Sequence, residues 1–238
     1  GIVQGRRNDI LSQCVIASVQ TISRKNRLSS LQKEFRTVIV DEAHHATAPT
    51  YLRVLEHVGV FNERGPLTVG VTATPRRNDN QSLDSVFQEV VYHRSVGELI
   101  RAGFLCDLRA LHVGVAADFD GLRTKSGDFL DGELETCLLR AEAPAIAVRA
   151  FLQYAAERKA VVFTPTVRFS RIATQAFVCA GVVAEAIDSQ TPPVERRKIL
   201  ARFRDGTTRV VVNCGVLTEG YDEPSVGCIV ICRPTKSA

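Results

Sequence analysis

Short runs of β-branched residues alternate along the chain with segments whose apolar positions recur at helical spacing, a pattern typical of parallel α/β sheets. In the first third of the chain the strand-like runs are CVIASV around Val15 to Ser18, TVIV ending at Val40, and LTVGV starting at Leu67. The segment between the last two is predicted to be a helix. Its apolar residues lie at helical spacing: Leu52, Val54, Leu55 and Val58.

A second block with the same rhythm begins near Lys159. AVVFT, VVAEAID, RVVVNC and GCIVIC are interpreted as buried strands. Two helices are predicted among them, one ending at Gly181 and one opened by proline and closed by Gly206. The repeated rhythm indicates two α/β domains with parallel sheets.

The stretch between the blocks is less regular. SVGELIRAGFL is predicted to be a helix, DLRALHVGV a strand, and Phe119 to Gly132, which is rich in glycine and aspartate, a loop. We therefore divide the chain into a first domain at residues 1–93, a linker leading into the second domain at 94–158, and a second domain at 159–238.

Composition adds limits to this picture. No apolar run approaches the ~18 residues that a membrane span needs, so we expect a soluble globular protein with no membrane partner. The net charge of +4 excludes a polybasic tail and gives no strong support for nucleic-acid binding. The seven cysteines form no CxxC pair, which argues against a zinc site and favours reduced thiols in a cytoplasmic or nuclear protein.

The strongest chemical signal is VIVDEAHH, in which a hydrophobic strand delivers Asp41 and Glu42 at its carboxyl end. Ligands of open α/β sheets bind at that edge. Two adjacent carboxylates there suit a hydrated Mg²⁺ that bridges phosphates, together with a base for an attacking water. A bare Asp-Glu pair is more simply a solvated acidic turn, but an apolar strand followed by DEAHH favours the catalytic interpretation.

A second buried strand ends in GVTATPRR, where the hydroxyls of Thr72 and Thr74 flank one small residue. Threonine is common at a junction of strand and turn, so this motif becomes informative only because it follows DEAH in the chain.

Five blocks of the chain resemble, in sequence and in order along the chain, the motifs of a superfamily 2 helicase of the DEAD/DEAH type. DEAH resembles motif II, TAT motif III, VVFTPTVRFS motif IV and RVVVNCGVLTEGYDEPSV motif V, while IASVQTISR resembles the nucleic-acid-contacting segment before motif II. The blocks are more similar to RadD-like helicases and restriction-enzyme motor subunits than to DEAD-box RNA helicases. The resemblance implies two RecA-like domains with parallel sheets, the first truncated at its N-terminus and the second at its C-terminus.

The resemblance also implies roles for the residues of the first domain. Asp41 would hold Mg²⁺ through water, and Glu42 would polarise the water that attacks the γ-phosphate of ATP. His44 would couple the state of the nucleotide to motif III and to the second domain. Thr72 and Thr74 would transmit that coupling.

In the second domain the resemblance implies that Gly220 and Asp222 approach the bound nucleotide across a cleft between the domains. Cys214 stands where many relatives carry threonine, so any contact there would come from its N–H. The residues implied to contact the nucleic-acid backbone in the two domains are Ser18, Thr21, Thr166, Asn213 and Cys214.

Neighbouring charged residues have simpler interpretations. His45 is expected at the surface or at the start of a helix, not as a ligand. Arg76 and Arg77 could contact phosphate or lie in a solvated turn. Arg196 and Arg197 lie on a predicted helix, where ordinary ion pairs are expected.

Two motifs of the family are not found in the sequence. There is no G-x-x-x-x-G-K-[ST] phosphate-binding loop, since RTKSG and PTKSA lack the glycine before lysine. There is no Q-x-x-G-R-x-x-R arginine motif either. The chain begins at Gly1 and contains no methionine. We therefore expect a fragment of a longer protein, with little or no ATP hydrolysis of its own.

The favoured hypothesis is a fragment of a nucleic-acid-dependent ATPase that uses ATP and Mg²⁺ to translocate on or unwind DNA, with RNA as the second choice. Its expected location is the cytoplasm, at the nucleoid if the protein is bacterial, or the nucleus. One alternative is a helicase-like nucleic-acid-binding module that does not hydrolyse ATP. Another is a Mg²⁺-dependent nuclease or phosphatase that recruits Asp79 and Asp84.

Overall fold

The computed structural model describes residues 1–31, 34–74, 83–125, 128–218 and 220–235, with the backbone alone at Lys125. The chain forms two compact units, Gly1–Asp107 and Leu108–Ala238. Three residues singled out in the sequence lie outside the described part, namely Arg76, Arg77 and Asp79.

The first unit begins with a small sheet of three short strands. β1 (Ile2–Gln4) pairs antiparallel with β2 (Arg7–Asn8) and in parallel with β3 (Ile16–Ala17). Two single-turn helices follow, α1 (Val19–Ile22) and α2 (Lys25–Leu28). The side chains buried in this part include Val3, Ile22 and Leu31.

Two parallel strands carry the chemical motifs of the first unit. β4 (Thr37–Asp41) and β5 (Leu67–Val71) pair in register, so that Asp41 lies opposite Val71. A 3₁₀ turn (Ala43–His45) and α3 (Pro49–His57), which begins with proline, lie between them in the chain. The core on one face of this pair contains Val40, Ala43, Ala46, Leu55 and Val86.

The first unit continues with a 3₁₀ turn at Leu83–Ser85 and α4 at Val96–Arg101. α4 confirms the helix predicted for SVGELIRAGFL, and it begins with a capping box between Ser95 and Glu98. The strand predicted for DLRALHVGV is wrong. An alternating pattern forms a strand only against a partner, and residues 107–115 pair with no strand in the described chain.

Most of the stretch predicted as the linker and entry to the second domain lies in the second unit. A short hairpin, β6 (Thr124–Lys125) and β7 (Asp128–Phe129), is followed by α5 (Asp131–Arg140) and α6 (Ala143–Ala155). Part of the loop predicted at Phe119 to Gly132 is therefore hairpin and helix, because a local pairing of two residues on each side needs no apolar pattern.

The sheet of the second unit confirms the four predicted strands. They are β8 (Lys159–Phe163), β9 (Ala184–Ile187), β10 (Val210–Asn213) and β11 (Val226–Ile231). All pair in parallel, in the order β11–β8–β10–β9. The two predicted helices are α7 (Val167–Cys179) and α8 (Pro193–Asp205), the latter closed by Gly206 at φ 90°.

Helices cover this sheet on both faces, which explains its continuous apolar strands. On one face α6 and α7 contribute Phe151, Phe169 and Phe177 to a core with Val162 and Val210. On the other face α8 packs through Ile199 and Phe203 against a second core cluster. That cluster also contains Val161, Ile187, Val211 and Leu217.

The register brings the carboxyl ends of the central strands level with one another. Asn213 at the end of β10 lies opposite both Phe163 of β8 and Ile187 of β9. Thr164 and Cys214, the next residues of two of these strands, therefore begin their loops at the same edge of the sheet.

Within the residues that the structure describes, no helix is long and apolar enough to cross a membrane. In the same part of the chain, no cluster of three or more His, Cys, Asp or Glu side chains is placed to hold a metal ion.

Candidate active site

The carboxylate pair lies where β4 ends. Asp41 is the last residue of the strand, and Glu42 follows it in the left-handed region at φ 48° and ψ 50°. The Glu42 N–H donates to Asp41 Oδ1 at 2.9 Å, which stabilises this tight turn. Residues with side chains seldom adopt such a conformation, and it is concentrated at functional sites. The Glu42 side chain is 39% exposed, so the turn is accessible to a ligand.

His44 joins the carboxylate turn to the end of β5. Its Nδ1 lies 2.9 Å from Thr72 Oγ1, 3.4 Å from Thr74 Oγ1 and 3.3 Å from Glu42 Oε2. The Thr74 N–H donates to Thr72 Oγ1 at 3.1 Å. Four residues singled out in the sequence therefore contact one another inside the first unit. Because one ring nitrogen faces three oxygen atoms, the proton it carries or lacks links the two motifs.

The residues that support this turn carry no recognisable motif in the sequence. Ala43 is buried beneath the turn, and Gly70 of β5 lies beside Ala43. A Cβ on Gly70 would lie 2.5 Å from Phe87 Cζ and 2.9 Å from Ala43 Cβ, so glycine makes room for the Phe87 ring. The only signal available in the sequence was a glycine inside a β-branched run. Nothing local to Phe87 pointed to its partner.

The segment between β10 and β11 carries the two residues of the second unit that were predicted to approach a nucleotide. Gly220 has φ 71°, a left-handed conformation that favours glycine, and a Cβ there would meet no atom within 4 Å. Asp222 is exposed. Both residues therefore lie on an open part of the second unit.

The predicted nucleic-acid contacts Ser18, Thr21 and Thr166 are engaged within their own units. Thr21 is buried, and Ser18 Oγ donates to Gln20 Oε1 at 2.9 Å. Thr166 is the N-cap of α7, where its hydroxyl accepts the Phe169 N–H at 3.0 Å. The Thr166 hydroxyl also donates to a buried carboxylate of α5.

The remaining two predicted nucleic-acid contacts lie at the end of β10. Asn213 is buried, and its Oδ1 accepts the N–H groups of Val216 at 3.0 Å and Leu217 at 2.8 Å. The Cys214 N–H donates to the Ile187 carbonyl at 3.0 Å. Burial raises the pKa of the Cys214 thiol, so it is held in its neutral form.

The simpler interpretations of charged residues have mixed outcomes. His45 ends the 3₁₀ turn, half-buried, with its ring centroid 4.0 Å from that of His44. Among the described residues neither Arg196 nor Arg197 forms an ion pair, contrary to expectation. The ion pairs that hold α8 to its neighbours are made by Arg202 and Arg204 instead, because those two reach carboxylates on other elements.

Comparison with known proteins places this geometry in a family. Residues 144–238 match the helicase conserved C-terminal domain, and residues 1–77 match the type III restriction enzyme, res subunit. IRC3 of Saccharomyces cerevisiae, whose name assigns it provisionally to the ATP-dependent helicases, is 30% identical over 230 residues, 95% of this chain and 33% of IRC3. The chain belongs to the superfamily 2 helicases. The resemblance inferred from the motifs is thereby confirmed.

Further relatives agree with this helicase assignment. The irc3 protein of Schizosaccharomyces pombe, whose name describes it provisionally as a mitochondrial ATP-dependent helicase, is 34% identical over 92% of this chain and 36% of its own length. XPB2 of Sulfurisphaera tokodaii, named as a DNA 3'-5' translocase, is 27% identical over 97% of this chain and 58% of XPB2. The helicase chain thus spans about a third of the length of the two fungal relatives.

Solved structures show the fold. The structure of a variant of Saccharomyces cerevisiae Dbp5 bound to RNA and ADP BeF3 matches with a TM-score of 0.54 at 12% sequence identity. The match covers 97% of this chain and 54% of the Dbp5 chain. The helicase chain is therefore mixed α/β with parallel sheets of the RecA-like kind, as predicted.

Proposed function

We propose that the complete protein is a nucleic-acid-dependent ATPase that couples hydrolysis to translocation along DNA or to its unwinding. The observation that supports this is that His44 contacts Glu42 on one side and Thr72 and Thr74 on the other, beyond the ends of two parallel strands. Ligands of α/β sheets bind at that edge. A carboxylate, an imidazole and two hydroxyls in mutual contact can respond together to the charge of a phosphate.

Asp41 is the residue that would hold Mg²⁺. Its carboxylate is exposed, and because Oδ1 accepts the Glu42 N–H, the other oxygen is left for a water of a hydrated ion. Mg²⁺ prefers oxygen ligands and keeps several of its waters, so this donor suits it. When bound, the ion neutralises phosphate charge.

Glu42 would act as the base. It accepts a hydrogen bond from the attacking water and takes the proton as the water oxygen bonds to the γ-phosphorus. The bond from that phosphorus to the bridging oxygen of ADP breaks, which releases ADP and phosphate. The partly exposed position of the Glu42 carboxylate leaves room for a water.

His44 would report the state of this site to the end of β5. A carboxylate that gains a proton no longer attracts the ring as a charge, so the balance among the three oxygens around Nδ1 changes. Thr72 and Thr74 lie where β5 leaves the sheet, and they would carry that change onward. Gly220 and Asp222 would also contact the nucleotide, a role that rests on the resemblance.

DNA is the first choice of nucleic acid on the resemblance to restriction motors, and the relative XPB2 is named a DNA translocase. RNA is the second choice, because contacts to a phosphate backbone need not discriminate. The cytoplasmic or nuclear location stays a prediction, and the fission yeast relative is named as mitochondrial.

The proposal is tested by measuring steady-state ATP hydrolysis of the complete protein with double-stranded DNA, single-stranded DNA, RNA or no nucleic acid. We expect stimulation by DNA. The DNA concentration that gives half-maximal stimulation should rise on the order of 10³-fold between 50 and 200 mM salt if six or more phosphates are contacted. If RNA stimulates hydrolysis and DNA does not, RNA is the nucleic-acid partner instead of DNA. Hydrolysis that is absent under every condition would contradict the proposal.

A non-catalytic nucleic-acid-binding module is the second candidate, since the sequence contains no G-x-x-x-x-G-K-[ST] loop. For the same reason we expect the 238-residue chain by itself to hydrolyse ATP weakly or not at all. If the protein is such a module, ATP should not alter its affinity for nucleic acid, even in the complete protein.

The alternative of a Mg²⁺-dependent nuclease would use Asp84, which lies in the 3₁₀ turn Leu83–Ser85. Cleavage of DNA with Mg²⁺ but without ATP would support it.

A further inference from the structure

The segment that joins β10 to β11 must return from the carboxyl edge of the sheet to its opposite edge, because the two strands run parallel. Its described residues form no helix, so the backbone is not fixed by a helical ladder. Gly215 and Gly220 add left-handed conformations at φ 64° and 71°. We call residues 214–225 the return segment. Backbone hydrogen bonds restrain its two ends, where the Cys214 N–H donates to the Ile187 carbonyl and the Glu223 carbonyl accepts the Val226 N–H, both at 3.0 Å. Side chains add further restraint.

Asn213 stabilises the beginning of the return segment. Its Oδ1 accepts two consecutive backbone N–H groups, of Val216 and Leu217, at 3.0 and 2.8 Å. The Asn213 carbonyl accepts both the N–H and the hydroxyl of Thr164 at 3.0 Å, which ties it to β8. Leu217 is then buried in the core beside α8. The Asn213 amide is thus directed into the protein.

Glu223 stabilises the end of the return segment. Its side chain is only 6% exposed, and its carboxylate accepts the Arg204 Nε–H at 3.0 Å and the Ser225 hydroxyl at 2.7 Å. These hydrogen bonds lower the pKa of Glu223 to about 2, so it is ionised at neutral pH. Lys159 Nζ donates to Ser225 Oγ at 3.1 Å and to the Arg204 carbonyl at 2.6 Å.

The geometry points to Asn213 and Glu223 as positioning residues that hold the turn at Gly220 and Asp222 from its two ends and so set the affinity for nucleotide. This rests on the proposed function. A segment held at both ends loses less conformational entropy when a ligand orders it, so fixing it beforehand strengthens binding. On this account Asn213 acts through the return segment and not by touching nucleic acid.

The test compares Glu223→Gln with Glu185→Gln in the complete protein. Glu185 is the matched control, because it too accepts from an arginine of α8, namely Arg202, but it holds β9 and not the return segment. For Glu223→Gln we expect the KM for ATP to rise about 5- to 10-fold with kcat and DNA affinity within about twofold. Glu185→Gln should leave the KM for ATP, kcat and DNA affinity unchanged, measured at a temperature where the variant is fully folded.

A further variant tests the other end of the segment. Asn213→Ala removes the acceptor for the two N–H groups and should raise the KM for ATP, and circular dichroism of the same variant shows that it is folded. If the KM for ATP stays at the wild-type value in Asn213→Ala and Glu223→Gln, the inference is overturned. Weaker DNA binding by Asn213→Ala would then make Asn213 a nucleic-acid contact.

Amide hydrogen exchange in the complete protein separates this inference from the proposed function. Exchange at Val216, Leu217 and Ser225 should be faster in Glu223→Gln and Asn213→Ala, and unchanged in Glu185→Gln. Unchanged exchange in all variants overturns the positioning role, whether or not the wild type hydrolyses ATP. A wild type that hydrolyses no ATP under any condition contradicts the proposed function instead.

Discussion

At the scale of residues, a single ring nitrogen of His44 connects the two motifs of the candidate site. His44 Nδ1 is within 2.9 to 3.4 Å of oxygen atoms from both strand ends. It can donate to, or accept from, only one of them well at a time. Its strongest contact by distance is Thr72 Oγ1, so the Thr72 hydroxyl is the atom whose removal most directly disconnects the two motifs.

Thr72→Val keeps the shape of the side chain and removes that hydroxyl. In the complete protein we expect DNA-independent ATP hydrolysis to change less than about threefold, while DNA stimulation falls by about tenfold or more. Thr72→Ser, which retains the hydroxyl, should restore stimulation. Equal loss of basal and stimulated hydrolysis in Thr72→Val would show that Thr72 serves the chemistry itself and not its coupling.

Residue-scale predictions from sequence succeed where a motif sits at a strand end. The resemblance implied that His44 couples to Thr72 and Thr74, and in the structure both hydroxyls and the Glu42 carboxylate lie around His44 Nδ1. Their roles stay predictions. Asn213 shows the limit, because its engagement with Val216 and Leu217 depends on how the chain turns after β10.

At the scale of elements, one glycine of β5 decides how closely the core approaches the carboxylate turn. Gly70 lies against Ala43 and the Phe87 ring, with no room for a Cβ. The segment carrying Phe87 therefore packs directly behind the turn that presents Glu42. A side chain here must displace either the ring or the turn.

Gly70→Ala should lower the free energy of unfolding by about 1–3 kcal/mol, the usual cost of overpacking. Urea denaturation followed by circular dichroism measures this. Gly97→Ala is a suitable control, because a Cβ at Gly97 in α4 meets only the end of the Arg101 side chain at 3.5 Å. The control should be neutral or slightly stabilising, since alanine favours helix by about 0.5–1 kcal/mol over glycine. If Gly70→Ala and the wild type have equal free energies of unfolding, the close packing inferred around Gly70 is contradicted.

Strands and helices were predictable where their pattern is local. Three of the four strands of the second sheet, β8, β10 and β11, are rich in β-branched residues, and all four predicted strands are present. The strand predicted for DLRALHVGV is wrong because a strand also needs a neighbouring strand to pair with, and the local sequence does not reveal that partner. The β6–β7 hairpin was missed for the opposite reason, since so short a pairing leaves no pattern.

At the scale of the whole molecule, the chain consists of two α/β units that divide between Asp107 and Leu108. The repeated rhythm of strand and helix predicted two such units. It did not predict that α5 and α6 belong to the second one, because their apolar faces are recognised only against the sheet they cover. The chain spans about a third of the length of its two fungal relatives, so the proposed activity is assigned to the complete protein.

The most direct test of the proposal is Glu42→Gln in the complete protein, with Glu56→Gln on the exposed side of α3 as control. The amide keeps the size of the side chain but cannot take the proton of the attacking water. DNA-stimulated ATP hydrolysis should fall by on the order of 10²–10⁴ while ATP binding, followed by a fluorescent analogue, stays unchanged. The control should hydrolyse ATP at the wild-type rate. Unchanged turnover in Glu42→Gln would contradict the assignment of Glu42 as the base.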